Sequence, residues 1–156
     1  MPSFISWIPT QLEYIHGFFE VAPMSSSDVV YDLGCGDGRV LFAALEKGAA
    51  RAVGIDIDPE RIKSAWNEAK KKGLEDKVTF SEGDVLDADL SEASVIFCYL
   101  ISAASAALKP KFEAELKPGT RVVMESFPVP GWKVTRNYTK DHRSFFLYVM
   151  PPEHEK

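Results

Sequence analysis

Apolar residues recur along this chain at two periods, and the switch from one to the other outlines its elements. From Thr10 to Val21 the residues Leu12, Ile15, Phe18 and Val21 come every third position, which makes one face of a helix able to lie on a sheet. Val29–Leu33 is a short apolar run ending in a glycine cluster, and Val40, Leu41, Ala44 and Leu45 come next at helical spacing until Gly48. Ala52–Ile55 repeats the strand pattern. Asp58 and Pro59 then supply an N-cap and a first-turn proline for a helix reaching Lys72, with Gly73 beyond it. Val78–Phe80 and Ser94–Tyr99 read as further strands, and the alanine-rich stretch from Ser102 to Leu116 as a helix interrupted or kinked at Pro110. After the turn Lys117–Thr120, Arg121–Met124 is a fifth strand. Val134–Tyr138 and Ser144–Val149 form a final pair joined by the polar segment Thr139–Arg143. Helices alternate with the early strands and not with the late ones. That order predicts an α/β fold, a doubly wound, mainly parallel sheet covered on both faces, with an antiparallel pair at one edge.

Composition narrows this picture without redrawing it. A chain of 156 residues, 46% hydrophobic and 26% charged, fits one domain over residues 1–156, with an N-terminal helical or lid segment (1–24) before a core (25–151). Cys35 and Cys98 stand outside any CxxC pairing, so they predict neither a disulfide framework nor a zinc site, and a reducing, cytoplasmic setting is expected. His16, His142 and His154 share no metal-ligand spacing, and no metal site is expected. No apolar run approaches membrane length, and MPSFISWIPT lacks the charge and long apolar core of a secretion signal. A net charge of −5 argues against tight binding of nucleic acid and favours a basic or neutral partner. Lys70, Lys71 and Lys72 close a helix, where their charge suits the dipole.

The richest chemistry lies in Asp32-Leu33-Gly34-Cys35-Gly36-Asp37-Gly38, where the first strand turns into its helix. Ligands of open α/β sheets sit beyond the carboxyl ends of the strands, and glycines there let them approach the backbone. The spacing is GxGxG led by an acid, unlike the GxGxxG that cradles a pyrophosphate. An acid in that place repels phosphate and welcomes an ammonium or sulfonium. Asp56, 22 residues after Gly34, ends the second strand where a carboxylate can accept ribose hydroxyls, while Asp58 serves better as the cap. Asp84, just past the third strand, can accept the adenine amino group, with Val85 donating from its backbone and Ile57 packing on the ring; an Asx-turn is the competing role for Asp84.

Together these features resemble the class I, seven-strand, Rossmann-like methyltransferases that use S-adenosyl-L-methionine, in order over residues 29–149. VVYDLGCGDGR (29–39), LKPK (108–111), ELKPGTRVV (115–123) and Ile8-Pro9-Thr10 look more closely like the small archaeal protein lysine methyltransferases and their mitochondrial relatives. Gln11 follows Thr10 where that group has proline. The resemblance implies a methionine-side loop of Asp32, Gly34, Cys35, Gly36 and Gly38, a ribose partner in Asp56, and adenine contacts from Asp84 and Val85. It implies either that Trp7–Thr10 folds over the cofactor or, failing that, that Trp7 and Ile8 cover the sheet edge.

The segment after the fourth strand selects the methyl acceptor. Phe97-Cys98-Tyr99-Leu100-Ile101 holds no Asn-Pro-Pro-Tyr, which argues against amino-methylation of adenine or glutamine. Cys98 lies in an apolar strand and reads as core. Tyr99 ends that strand toward the cofactor and is the candidate catalytic residue, orienting an amine, with a core or lid role as its alternative. The expected activity is methyl transfer to lysine of a protein substrate. A small-molecule or RNA methyltransferase, or a non-catalytic module that binds the same cofactor, shares every one of these cofactor residues.

Overall fold

The computed structural model describes residues 12–99 and 102–155. Seven strands and four helices follow in the order α1 (Leu12–Val21), β1 (Val29–Leu33), α2 (Arg39–Glu46), β2 (Arg51–Asp56), α3 (Pro59–Lys72), β3 (Val78–Glu82), β4 (Val95–Cys98), α4 (Ser102–Glu115), β5 (Arg121–Glu125), β6 (Arg136–Lys140) and β7 (Arg143–Val149). They build one sheet ordered β3-β2-β1-β4-β5-β7-β6, parallel except that β7 runs against both β5 and β6. The reversed strand is therefore one place in from the edge, and β6 forms the edge itself. Trp7–Thr10 lie outside the described residues.

The alternating faces of each strand divide the core in two. Val30, Ala52, Phe80 and Phe97 point toward α1, α2 and α3, while Tyr31, Val53, Ile96 and Val122 point toward α4 and the segment carrying Trp132. Ile15, Phe18 and Val21 of α1 are all buried, and the ring of Phe145 occupies the space a side chain at Gly17 would need. That close approach seats α1 on the β6–β7 side of the sheet. Asp58 caps α3 by accepting from the Glu60 amide at 2.9 Å, and Gly73 ends it with φ 68°. Of the interruption or kink expected at Pro110, the interruption is absent: α4 runs through the proline as one helix. Between β3 and β4 the chain makes no α-helix, only the one-turn 3-10 helix Val85–Asp87. Among the described residues no helix is long and apolar enough to cross a membrane.

Candidate active site

The helices after β1 and β4 pack on opposite faces of the sheet, so a crevice opens at the carboxyl ends of these two neighbouring strands. The loop after β1 forms one wall. Gly34, Gly36 and Gly38 have φ of 87°, 57° and 85°, a left-handed backbone that costs other L-residues about 1–2 kcal/mol each. Cys35 points down into the core, and the position opposite it on β2 must be glycine: a Cβ at Gly54 would stand 2.7 Å from the Cys35 sulfur. Cys35 therefore meets a ligand through its backbone alone, and burial pushes its thiol pKa up.

Where the loop's amides go decides what it can bind. Those of Gly34 and Cys35 both donate to the Ile55 carbonyl (2.7 and 3.0 Å), that of Gly36 to Asp56 Oδ2 (2.9 Å), and that of Gly38 to the Cys35 carbonyl (3.0 Å). With these four donors taken inside the protein, the loop offers no row of free N–H groups to an anion.

Asp32 supplies the opposite preference. Its side chain is 3% exposed, and among the described residues it has no hydrogen-bond or ion-pair partner. Burial, followed by the neighbouring charges of Asp56, Glu125 and Asp37, raises its carboxyl pKa well above the ordinary range. A cation beside it would reverse that shift. Asp37, half-buried at the loop's outer side, behaves differently: burial opposes its ionisation, but Arg39 at 2.7 Å outweighs this and holds its pKa low.

Asp56 departs from the expected open strand end. It is 2% exposed, and besides Gly36 it accepts from the Asp58 amide at 2.9 Å and lies 3.4 Å from Arg61. Its first structural task is to tie the loop after β1 to the end of β2. Ile57 beside it is partly buried. Asp84 is also partly buried, and one of its oxygens caps the 3-10 turn by accepting from the Leu86 amide at 2.9 Å, so the Asx arrangement is present. Val85 buries its side chain in the core (1% exposed), and its carbonyl accepts from the Ala88 amide at 3.4 Å.

The far wall starts at Tyr99. Leu33 pairs with Cys98 and Cys98 with Met124, so one step further the register sets Tyr99 level with Gly34 and Glu125. Tyr99 is partly buried against the core on the α1 side. Cys98 is fully buried, its thiol pKa driven up by that burial. Glu125 is fully buried too and is held by Arg143 at 3.2 Å. Neither the Arg143–Glu125 pair nor the Arg61–Asp56 pair is legible in the sequence, since each needs a strand or helix register that spacing along the chain does not fix. The acid-Pro-acid-basic run Asp58–Arg61 is the available signal for the second.

Comparison with known proteins agrees with this architecture. Residues 32–136 match the family model of the ANTKMT methyltransferase domain. A protein-lysine N-methyltransferase of Saccharolobus islandicus is 40% identical over 82% of this chain and 80% of its own length. The adenine nucleotide translocase lysine N-methyltransferase of Mus musculus is 32% identical over 65% of this chain and 44% of its own length. Among solved structures, an RNA methyltransferase from Salinibacter ruber in complex with S-adenosyl-L-homocysteine superposes with a TM-score of 0.90 at 36% identity, covering 96% of this chain and 97% of that one. A crevice at the switch point, a glycine loop that turns its amides inward and a buried acid without a partner among the described residues thus coincide with the matched residues, and the chain belongs to the ANTKMT methyltransferase domain family.

Proposed function

We propose that this protein transfers the methyl group of S-adenosylmethionine to the side-chain amine of lysine in a protein substrate. The observation that carries the cofactor is the buried carboxylate of Asp32, which has no partner among the described residues and three acids for neighbours, beneath a loop whose glycine and Cys35 amides are all taken inside the protein. A zwitterionic, sulfonium-bearing amino acid fits that setting, and a nucleotide phosphate does not. When bound, the cofactor supplies an activated methyl group. Asp32 with the backbone of Gly34, Cys35, Gly36 and Gly38 serves its methionine part, Asp56 its ribose, and Asp84 with Val85 its adenine, on whose ring Ile57 packs.

The acceptor must arrive as a neutral amine. Removing a proton from lysine of pKa about 10.4 at pH 7 costs about 4.6 kcal/mol. Glu125 is ill suited to take that proton, because it is fully buried and Arg143 already holds it at 3.2 Å. Tyr99, level with the glycine loop, orients the amine, and exclusion of water lowers the pKa of the lysine. The lysine methyltransferases of Saccharolobus islandicus and Mus musculus support a protein acceptor.

The likeness to the Salinibacter ruber structure favours a second reading, methylation of RNA. The net charge of −5 opposes it, since RNA binding rests on phosphate neutralisation. Incubating the enzyme with methyl-labelled S-adenosylmethionine and a cell extract, then separating protein from RNA, decides between them. Label on trimethyl-, dimethyl- or monomethyl-lysine is expected; label confined to RNA or to metabolites ends the lysine reading.

A further inference from the structure

The short connection from β3 to β4 leaves part of the sheet without a covering helix, and a groove of about 500 Å³ lies there. Its floor is made of Tyr31, Val53 and Thr79 from β1, β2 and β3, and its upper end runs past Ile55 and Ser81 to Asp84, where it adjoins the active-site loops. Its rim is acidic. Glu82, Asp84, Asp87, Asp89 and Glu92 face a single cation, Arg51, a balance of −4 beside the whole chain's −5. Asp84 commits one oxygen to the Leu86 amide, and Asp89 accepts from both the amide and the side chain of Ser91.

A second observation is independent of these charges. Tyr31 is only 6% exposed, lines the groove, and among the described residues its hydroxyl has no hydrogen-bond partner. Buried hydroxyls are ordinarily bonded, and one left open toward a groove is set to meet a donor from outside. Burial, then Glu92 and Asp89, raise the phenol pKa, so it stays neutral and able to accept.

We propose that this groove docks an extended, arginine- and lysine-rich segment of the protein substrate, the aliphatic stems lying on Val53 and Tyr31, the cations meeting the rim carboxylates, and the Tyr31 hydroxyl accepting from the segment. Basic side chains suit such a surface because their stems cover apolar floor while their heads stay at the charged rim. Nucleic acid would bring phosphates against four net negative charges. The proposal rests on the reading of a protein acceptor and adds its selectivity: lysines embedded in basic sequence are preferred.

The test uses a fluorescein-labelled Arg-Ser repeat peptide containing no lysine, so that its binding does not depend on methyl transfer. Anisotropy with the full chain should show binding that weakens from about 50 to about 200 mM salt. The triple variant Asp87→Asn/Asp89→Asn/Glu92→Gln should raise Kd about tenfold, as expected for three exposed charge contacts, and Tyr31→Phe severalfold. None of these residues is assigned to the cofactor, so S-adenosylhomocysteine affinity and Tm should stay at wild-type values and certify the fold. With an acceptor lysine flanked by arginine, the triple variant should raise KM and leave kcat unchanged. Equal peptide affinity in wild type and variant, no binding to wild type, or preferential binding of an RNA oligomer that the variant retains, overturns the groove assignment. Peptide binding lost in the variant while no lysine is ever methylated leaves the groove standing and removes the lysine reading instead.

Discussion

The amide of Gly36 donates to the carboxylate of Asp56 across 2.9 Å, joining the loop after β1 to the end of β2. Asp56 also accepts from the Asp58 amide, so one buried side chain organises both the glycine loop and the start of α3. Asp56→Ala strips partners from two backbone donors, each costing about 1–3 kcal/mol if left unsatisfied. The variant should therefore lose both Tm and cofactor affinity. Asp84→Ala removes a single cap at a half-exposed turn, worth about 1 kcal/mol, and should keep most of its Tm while its cofactor affinity falls. Calorimetry on both variants checks this: an Asp56→Ala protein as stable as wild type would show that the loop does not depend on it.

Gly38 begins α2 with φ 85°, and a Cβ there would lie 3.0 Å from the Phe42 ring and 3.1 Å from that of Phe80. Backbone strain and crowding add, so Gly38→Ala should destabilise the protein by about 1–3 kcal/mol and lower cofactor affinity through the displaced loop. Chemical denaturation measures the first and titration calorimetry the second. Unchanged values for both would mean that the loop tolerates a right-handed backbone at this position.

Asp32 makes a prediction about protons. Its folded pKa is raised above the unfolded value, so it favours the folded state most at low pH, and that contribution is lost as pH rises through the folded pKa. Asp32→Asn should consequently raise the Tm of the ligand-free protein at neutral pH, where keeping the wild-type carboxyl buried costs either the uptake of a proton or the burial of a charge. A cationic ligand lowers this pKa again, and binding should release a proton between the bound and free values. Calorimetry of S-adenosylmethionine binding in buffers of different ionisation enthalpy reads that release. Asp32→Asn should abolish it and weaken binding by at least about tenfold.

Much of this fold is legible in the chain because the signals are local. The cap Asp58, the stop Gly73 and the GxGxG run after Val29–Leu33 each act within a few residues of themselves, and all three stand where their chemistry requires. The reversed strand is harder to place. Only the long-range pairing of Glu125 with Phe145 sets β7 between β5 and β6, and it is this pairing that brings Arg143 to Glu125. Asp56 reads as an open strand end because its position along β2 is visible in the sequence, whereas the loop that folds down over it is not. The acidic groove is hidden for a similar reason. Its rim acids are strung along Glu82–Glu92, but the floor comes from β1, β2 and β3 together, and the missing helix shows only once the sheet is assembled.

Glu125 and Tyr99 stand level at the carboxyl ends of neighbouring strands, and they divide the possibilities for proton transfer. If Glu125 were the base, Glu125→Gln would be almost inactive while folding normally. Its burial and its Arg143 partner point elsewhere: replacing it breaks the ion pair with Arg143, a loss of about 3–5 kcal/mol when such a pair is fully buried and less here, where Arg143 is 25% exposed. Glu125→Gln should thus lower Tm first, and retain kcat at temperatures where it is folded. Tyr99→Phe removes one hydroxyl from a partly buried side chain and should leave Tm nearly unchanged, yet cut kcat about ten- to a hundredfold if that hydroxyl orients the amine. Because the acceptor must shed its proton, kcat/KM of the wild type should climb with pH toward the lysine pKa, and Tyr99→Phe should lower the whole profile without moving its midpoint. Stopped assays on a lysine peptide across that range separate the two roles: a midpoint that shifts to the carboxylate range, or an inactive but fully folded Glu125→Gln, would transfer the proton to Glu125 and leave Tyr99 as part of the wall.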